Sequence, residues 1–234
     1  MDEPSGNGSK QERDDTTTVL IVDDHRSFAD ALGMAINLQP DLECVGMAGS
    51  VEEAIGLVDE RAPDVVLMDV HLPDADGIEG TQRVKELNPA VGVLVLTADQ
   101  NPAILARAAA VGASGFLLKE SPFAEILQAI RTTHEGGMQL PNTTLASILE
   151  RLERGAAPAA APGLGRSDTL TGRELDVLRL LGQGHDVQTI ARDLVISIHT
   201  VRGHVKSILA KLGVHSQLEA VVTAVRMGIL PRPS

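Results

Sequence analysis

The first half of the chain alternates short apolar runs with longer segments whose apolar residues recur every three or four positions. Five runs are apolar at both alternating positions, as in parallel strands that helices cover on both faces. They predict strands over residues 19–23, 43–47, 65–69, 91–97 and 115–118. The periodic segments predict helices over 26–38, 51–60, 77–87, 102–111 and 122–134. Five strand–helix units predict an α/β domain over 18–135, built on a doubly wound, five-stranded parallel sheet.

The last third of the chain has helical periodicity only. Residues 169–234 are expected to form an all-α domain of four short helices, capped by Thr171, Asp186, Ser197 and Ser216. Thr171 and Ser216 are each followed three residues later by Glu, which predicts two capping boxes. The tight connection between the second and third helices predicts a helix-turn-helix.

Polar or small residues flank these two domains. Residues 1–17 are polar and charged, which predicts a disordered leader. Residues 136–168 predict a linker, made of an amphipathic helix over 141–154 and an Ala/Pro/Gly-rich stretch over 155–168.

Charge divides along the same boundary. The formal net charge of −12 arises from 32 acidic and 20 basic residues. Residues 165–234 hold 6 of the acids and 9 of the bases, a charge of +3, so residues 1–164 carry −15. The acidic part argues against general nucleic-acid binding, whereas the basic part allows it. No Trp or Tyr and only three Phe are present, which disfavours stacking on single-stranded bases.

The chain is expected to be cytoplasmic and to make no membrane contact. The single cysteine, Cys44, cannot form an internal disulfide, which fits a reducing compartment. No run of about 18 apolar residues and no signal-peptide pattern is present.

Candidate chemistry gathers where the predicted strands end. Ligands of open parallel sheets bind beyond the carboxyl ends of the strands. Those ends carry Asp23 and Asp24, Asp69, Thr97 and Lys119. Three close carboxylates need a cation, and oxygen ligands suit Mg²⁺. One carboxylate can then attack a phosphoryl group while the lysine and threonine contact its oxygens. The alternative is that the Asp and Thr residues only cap the following helices.

These residues lie in segments that resemble a known family. VLIVDDH, VLMDVHLPDADG, VLTA and GFLLKE are similar to the flavodoxin-like receiver domain of bacterial two-component response regulators. The resemblance implies that Asp69 accepts a phosphoryl group from a sensor histidine kinase. It also implies that Asp24 and Asp69 bind Mg²⁺ directly, Asp23 mostly through water, and His71 through its backbone carbonyl. Thr97 and Lys119 would contact the phosphoryl group.

Two positions leave the local structure open. Phe116 occupies the family's switch-aromatic position, although it can also be a simple core residue. Glu120 follows Lys119 where many receivers have a proline joined by a cis bond, and a non-proline cis bond costs roughly 3 kcal/mol. The geometry at Lys119–Glu120 is therefore undecided by the sequence.

The C-terminal segments resemble a second family. LTGRELDVLRLLGQG, TIARDL and HTVRGHVKSILAKLGV are similar to the LuxR-type helix-turn-helix of NarL/FixJ regulators. The resemblance places Arg202, Gly203 and Lys206 at DNA-reading positions on a helix around 199–212. A solvated charged face is the alternative for the two cations. Lys211 is either a phosphate contact or a surface lysine, and Val225 either dimerises or packs within its domain.

Several positions depart from the second family's pattern. They are Asp186–Val187, Thr189, Gln217 and Gly203, and glycine has no side chain that could read a base. His185, His199, His204 and His215 lack the neighbours of a zinc site.

Taken together, the motifs predict a phosphorylation-controlled transcription regulator, not an enzyme beyond its own phosphoryl transfer and dephosphorylation. It would bind double-stranded DNA, as a homodimer when phosphorylated. A phosphatase of the haloacid dehalogenase type is the main alternative, but that class wants a second Asp where His71 stands. A receiver that is never phosphorylated is a third possibility, which the complete set of pocket residues disfavours.

Overall fold

A computed structural model describes residues 16–98, 101–138 and 170–231. Five parallel strands form one sheet in the order β2-β1-β3-β4-β5. The strands are β1 (Thr17–Val22), β2 (Leu42–Ala48), β3 (Val65–Asp69), β4 (Gly92–Thr97) and β5 (Gly115–Leu118). The predicted doubly wound sheet is thereby confirmed.

Helices cover both faces of this sheet. They are α1 (Arg26–Asn37), α2 (Val51–Arg61), α3 (Gly77–Leu87), α4 (Pro102–Ala110) and α5 (Phe123–His134). α1 and α5 pack on one face, with Leu32 and Ile130 fully buried. α2 and α3 pack on the other, with Val58 and Val84 buried against β1, β3 and β4. Full burial of the central strands explains why their sequences are continuously apolar.

Four helices form the C-terminal domain: α6 (Gly172–Gly182), α7 (Val187–Asp193), α8 (Ile198–Leu212) and α9 (Gln217–Arg226). Each begins at the predicted capping residue. The capping box at Thr171 is confirmed. Only half of the second predicted capping box forms. The Ser216 side chain accepts from the Glu219 N–H, but the Glu219 carboxylate accepts from the His215 N–H and not from the Ser216 N–H. α8 ends at Gly213, whose φ of 65° needs the left-handed region that glycine enters freely.

Some predicted segments lie outside the described residues. These are nearly all of the leader, and the linker beyond residue 138 with its helix over 141–154. No single described helix is long and apolar enough to cross a membrane. α8 and α9 reach that length and apolar character only when taken together, and a bend of 52° separates the two helices.

Candidate functional site

Two carboxylates lie side by side where the strand order reverses. β1 is flanked by β2 and β3, so the residues that follow β1 meet the end of β3. Asp23 is 2% exposed and Asp69 is 1% exposed, whereas the Asp24 side chain reaches solvent. A reversal of strand order opens a crevice for a ligand at this edge of the sheet.

Lys119 joins both buried carboxylates. Its Nζ donates a hydrogen bond of 2.7 Å to Asp69 Oδ2. It also lies 2.7 Å from Asp23 Oδ2, where the two groups form an ion pair without hydrogen-bond geometry. Burial alone would lower the pKa of Lys119, but its contacts with the two carboxylates outweigh burial and raise that pKa. The ammonium stays charged and partly neutralises the acidic pair.

Thr97 completes the set of strand-end residues. It is the last residue of β4 and is 1% exposed. Its carbonyl accepts a hydrogen bond of 2.9 Å from the Lys119 N–H, which ties the ends of β4 and β5 together. Asp23, Asp24, Asp69, Thr97 and Lys119 therefore lie at one edge of the sheet, as the sequence predicts.

A neighbouring histidine also belongs to the acidic cluster. His25 Nδ1 lies 2.8 Å from Asp24 Oδ1, and ligand atoms of Asp23, Asp24, His25 and Asp69 all lie within 4.8 Å of one another. Among the described residues, no other group of three or more acidic, His or Cys side chains is so compact. The sequence analysis missed His25, although its position directly after two acids was a signal. The crowded carboxylate oxygens fit a hard cation such as Mg²⁺.

The loops after β3 and β5 have well-defined local geometry. The His71 N–H donates to Asp69 Oδ1 at 3.2 Å, and the His71 side chain is exposed. The described chain contains no cis peptide bond, so the bond from Lys119 to Glu120 is trans.

One of the three phenylalanines lies in the core and the other two lie beside the acidic pocket. Phe116 is buried, in an apolar cluster that continues into the C-terminal domain. Phe28, on α1, is half-buried. Its ring makes an edge contact with Phe123, with centroids 6.3 Å apart, and Lys119 Nζ lies 5.6 Å from its centroid. Phe28 thus forms an apolar wall beside the acidic pocket.

α8 separates an apolar from a polar face. The buried residues, which repeat at helical spacing, are Val201, Val205, Ile208 and Leu212. Arg202, Gly203 and Lys206 lie on the exposed side. A Cβ built on Gly203 would meet nothing within 4 Å, so there is free space directly beside the backbone there.

Lys211 has a structural partner. Its Nζ lies 2.6 and 2.8 Å from the two carboxylate oxygens of Glu174, which also accept from Ser207 Oγ and the Thr171 N–H. Burial alone would raise the pKa of Glu174, but these donors lower it to about 2. Lys211 is therefore not a free surface lysine, although its side chain remains 31% exposed.

The two domains contact each other. Ser216 Oγ donates to the Ala113 carbonyl at 2.9 Å, and Lys85 Nζ donates to the His215 carbonyl at 3.5 Å. The Gln217 side chain donates to the Gly136 carbonyl. Together with an ion pair between Glu135 and Arg202, these contacts define the docking interface. Burial lowers the pKa of Lys85 to about 8, despite the nearby Glu219 carboxylate that acts to raise it.

The docking interface involves the polar face of α8. Arg202 Nη2 lies 3.1 Å from Glu135 Oε2, and an open cleft of about 390 Å³ between the domains is lined by Arg202 and Lys206. Val225 packs against the apolar cluster. The sequence analysis did not name Glu135, because local patterns carry no signal of domain docking.

Comparison with known proteins covers both domains. Residues 19–131 match the family described as response regulator receiver domain, and residues 168–224 match bacterial regulatory proteins of the luxR family. The transcriptional regulatory protein LnrK of Bacillus subtilis is 35% identical, over 90% of this chain and 97% of its own length. The transcriptional regulatory protein LiaR of the same organism is 37% identical, over 89% and 96%. A solved structure of two RcsB dimers bound to two parallel DNAs is 26% identical over 90% of this chain and 99% of its own, with a TM-score of 0.51.

Proposed function

The chain belongs to the family of transcriptional response regulators that join a receiver domain to a LuxR-type DNA-binding domain, and from this premise we propose that Asp69 is its phosphoryl acceptor. The observation that carries the proposal is the Lys119 ammonium, which lies 2.7 Å from both Asp23 and Asp69. A sensor histidine kinase is the donor expected for such a regulator. Members of this family are regulators and not enzymes in the usual sense.

The pocket residues divide the transfer step among themselves. An Asp69 carboxylate oxygen forms a bond to phosphorus while the bond from phosphorus to the donor's nitrogen breaks, and that electron pair leaves with the donor. Lys119 exchanges its contact with Asp69 for one with a phosphoryl oxygen. The Thr97 hydroxyl donates to another oxygen of the same group.

A magnesium ion fits the acidic cluster. Asp24 and Asp69 would ligate it directly, Asp23 mostly through water, and the His71 backbone carbonyl would complete the protein ligands. When bound, the ion neutralises the charge that develops on the phosphoryl oxygens. The fit rests on the crowding of Asp23, Asp24 and Asp69, whose oxygens repel one another without a cation.

DNA recognition falls to α8. Arg202 and Lys206 would contact a duplex from the polar face of this helix, with Gly203 between them allowing close approach of the backbone. A charge of only +3 in this domain favours two copies on one DNA, so we include a homodimer in the proposal. The RcsB structure, which contains dimers on DNA, supports that arrangement. A cytoplasmic location is part of the same proposal.

The docked arrangement withholds α8 from DNA. Arg202 is paired with the receiver, and a cleft of about 390 Å³ is far too small for a duplex. Phe116 and α4 pack in the apolar cluster that reaches α9, so a change at the phosphorylated pocket can loosen the docking interface. Phosphorylation would then shift the population toward undocked chains that bind DNA.

The test combines phosphorylation with DNA binding. The full chain is treated with acetyl phosphate and Mg²⁺, and the mass gain of one phosphoryl group is measured for wild type and Asp69→Asn. Affinity for a duplex selected from a random library is then measured before and after treatment. We expect modification and tighter binding in wild type only. Equal modification of the Asp69→Asn variant would overturn the assignment of Asp69.

A further inference from the structure

An apolar side chain opens the helix that carries Arg202 and Lys206. Ile198 is the first residue of α8 and is 40% exposed. Residues four apart share one helix face, so Ile198, Arg202 and Lys206 form a single row. The row therefore begins with an aliphatic group and continues with two cations.

Core packing accounts for only part of the Ile198 side chain. Ile196, two residues earlier, packs against the apolar cluster of the domain, whereas Ile198 does not belong to that cluster. The buried residues of α8 are Val201, Val205, Ile208 and Leu212, and Ile198 lies at the exposed N-terminal end of their stripe, next to the row of cations. Because Ile198 borders two cations, this surface can bind a partner that offers an apolar group beside anionic ones.

The first turn of α8 holds Ile198 in a defined position. Ser197 caps the helix, and its Oγ accepts from the Thr200 N–H at 3.0 Å and contacts the Thr200 hydroxyl at 2.8 Å. A β-branched side chain has few rotamers in a helix. Ile198 therefore projects from an ordered turn with little conformational freedom to lose on binding.

Duplex DNA offers one apolar group at the base edges of its major groove, the C5 methyl of thymine. The N-terminal residues of a recognition helix are those that reach base edges. Gly203 supplies no side chain on this face, so the row depends on the remaining groups to distinguish bases. We propose that Ile198 contacts a thymine methyl group, so that each half-site contains one thymine that it reads. This inference rests on the proposed role of α8 in DNA binding.

The test removes only the methyl groups. A duplex selected from a random library by the phosphorylated full chain is remade with single deoxyuridine-for-thymidine replacements. Wild type should lose about fourfold in affinity at one position of each half-site, the factor expected for one buried methyl group. Ile198→Ala should bind the unmodified duplex more weakly by a similar factor and be insensitive to replacement at that position.

A matched control and two opposing outcomes make the test decisive. Met227→Ala truncates another exposed apolar residue of the domain, 37% exposed and outside α8, and should retain wild-type sensitivity to the methyl group. The inference is wrong if no replacement weakens wild type, or if Ile198→Ala remains sensitive to the same replacement. Those results leave DNA binding intact, whereas failure to select any duplex would overturn the proposed function as well.

Discussion

Arg202 of the DNA-binding domain pairs with Glu135 of the receiver at 3.1 Å, so one side chain serves either domain docking or DNA contact. Both partners are about half exposed, and exposed pairs contribute about 0.2–1 kcal/mol. Glu135→Gln should therefore raise the DNA affinity of the unphosphorylated chain by about 1.4- to fivefold, as measured by fluorescence anisotropy.

The control for this variant is Glu60→Gln. Glu60 is also an exposed receiver carboxylate, and its partner is the adjacent Arg61 on α2. The Glu60→Gln substitution removes the same charge but leaves the docking interface unchanged. An equal gain in affinity from both variants would attribute the effect to net charge and contradict the competition for Arg202.

Ser216 should stabilise the chain more than an ordinary helix cap. Its Oγ accepts from the Glu219 N–H at 3.1 Å and also donates to the Ala113 carbonyl across the docking interface. Ser197 caps α8 in the same way at 3.0 Å but lies outside the interface. Ser197→Ala should cost about 1 kcal/mol of unfolding free energy, and Ser216→Ala about 1 kcal/mol more. Urea unfolding of both variants of the full chain measures this difference, and equal costs would argue against a contribution from docking.

The ion pair of Glu174 and Lys211 should make stability depend on acid pH. The pKa of Glu174 falls from an ordinary 4.5 to about 2, so its stabilising effect is complete above pH 4.5 and is lost as the pH falls toward 2. Urea midpoints of wild type and Glu174→Gln should converge over that range. A constant difference between the two proteins from pH 6 to pH 3 would contradict the lowered pKa.

Lys211 gives the reciprocal variant. Lys211→Met leaves the buried Glu174 carboxylate without its cation and should cost about 3 kcal/mol near neutral pH. Lys206→Met removes a lysine of the same helix for which the described residues provide no ion-pair partner, and should change stability little. Its DNA affinity should fall instead, so the two lysines separate folding from binding.

Val195 should be replaceable with a gain in stability. Its φ is 54° and its side chain is 89% exposed, so a β-branched residue occupies the left-handed region without burying its side chain. L-residues cost roughly 1–2 kcal/mol there, whereas glycine enters that region freely. Val195→Gly should raise the melting temperature of the full chain, while Ile196→Gly in the same turn should lower it because Ile196 packs against the core.

The sequence predicted the strands, which depend on local apolar pattern, and the pocket residues, which follow the strand ends. Continuously apolar runs predicted the strands. In a parallel sheet those strands end at the same edge, so Asp23, Asp69 and Lys119 were expected to lie close together. The pairing of Arg202 with Glu135 could not be predicted, because it depends on how two separately folded surfaces dock. The predicted capping box at Ser216 is incomplete because the Glu219 carboxylate accepts from the His215 N–H instead. Turn geometry places this donor close to Glu219, and the sequence pattern does not show it.

The apolar cluster that holds Phe116 does not stop at the domain boundary. It runs from Val70 and Leu105 in the receiver to Val221 in α9 and Leu230 just beyond that helix. A core shared in this way couples the melting of the two domains. The docked chain should therefore unfold in a single calorimetric transition, and a signal that separates the domains would convert one cooperative unit into two.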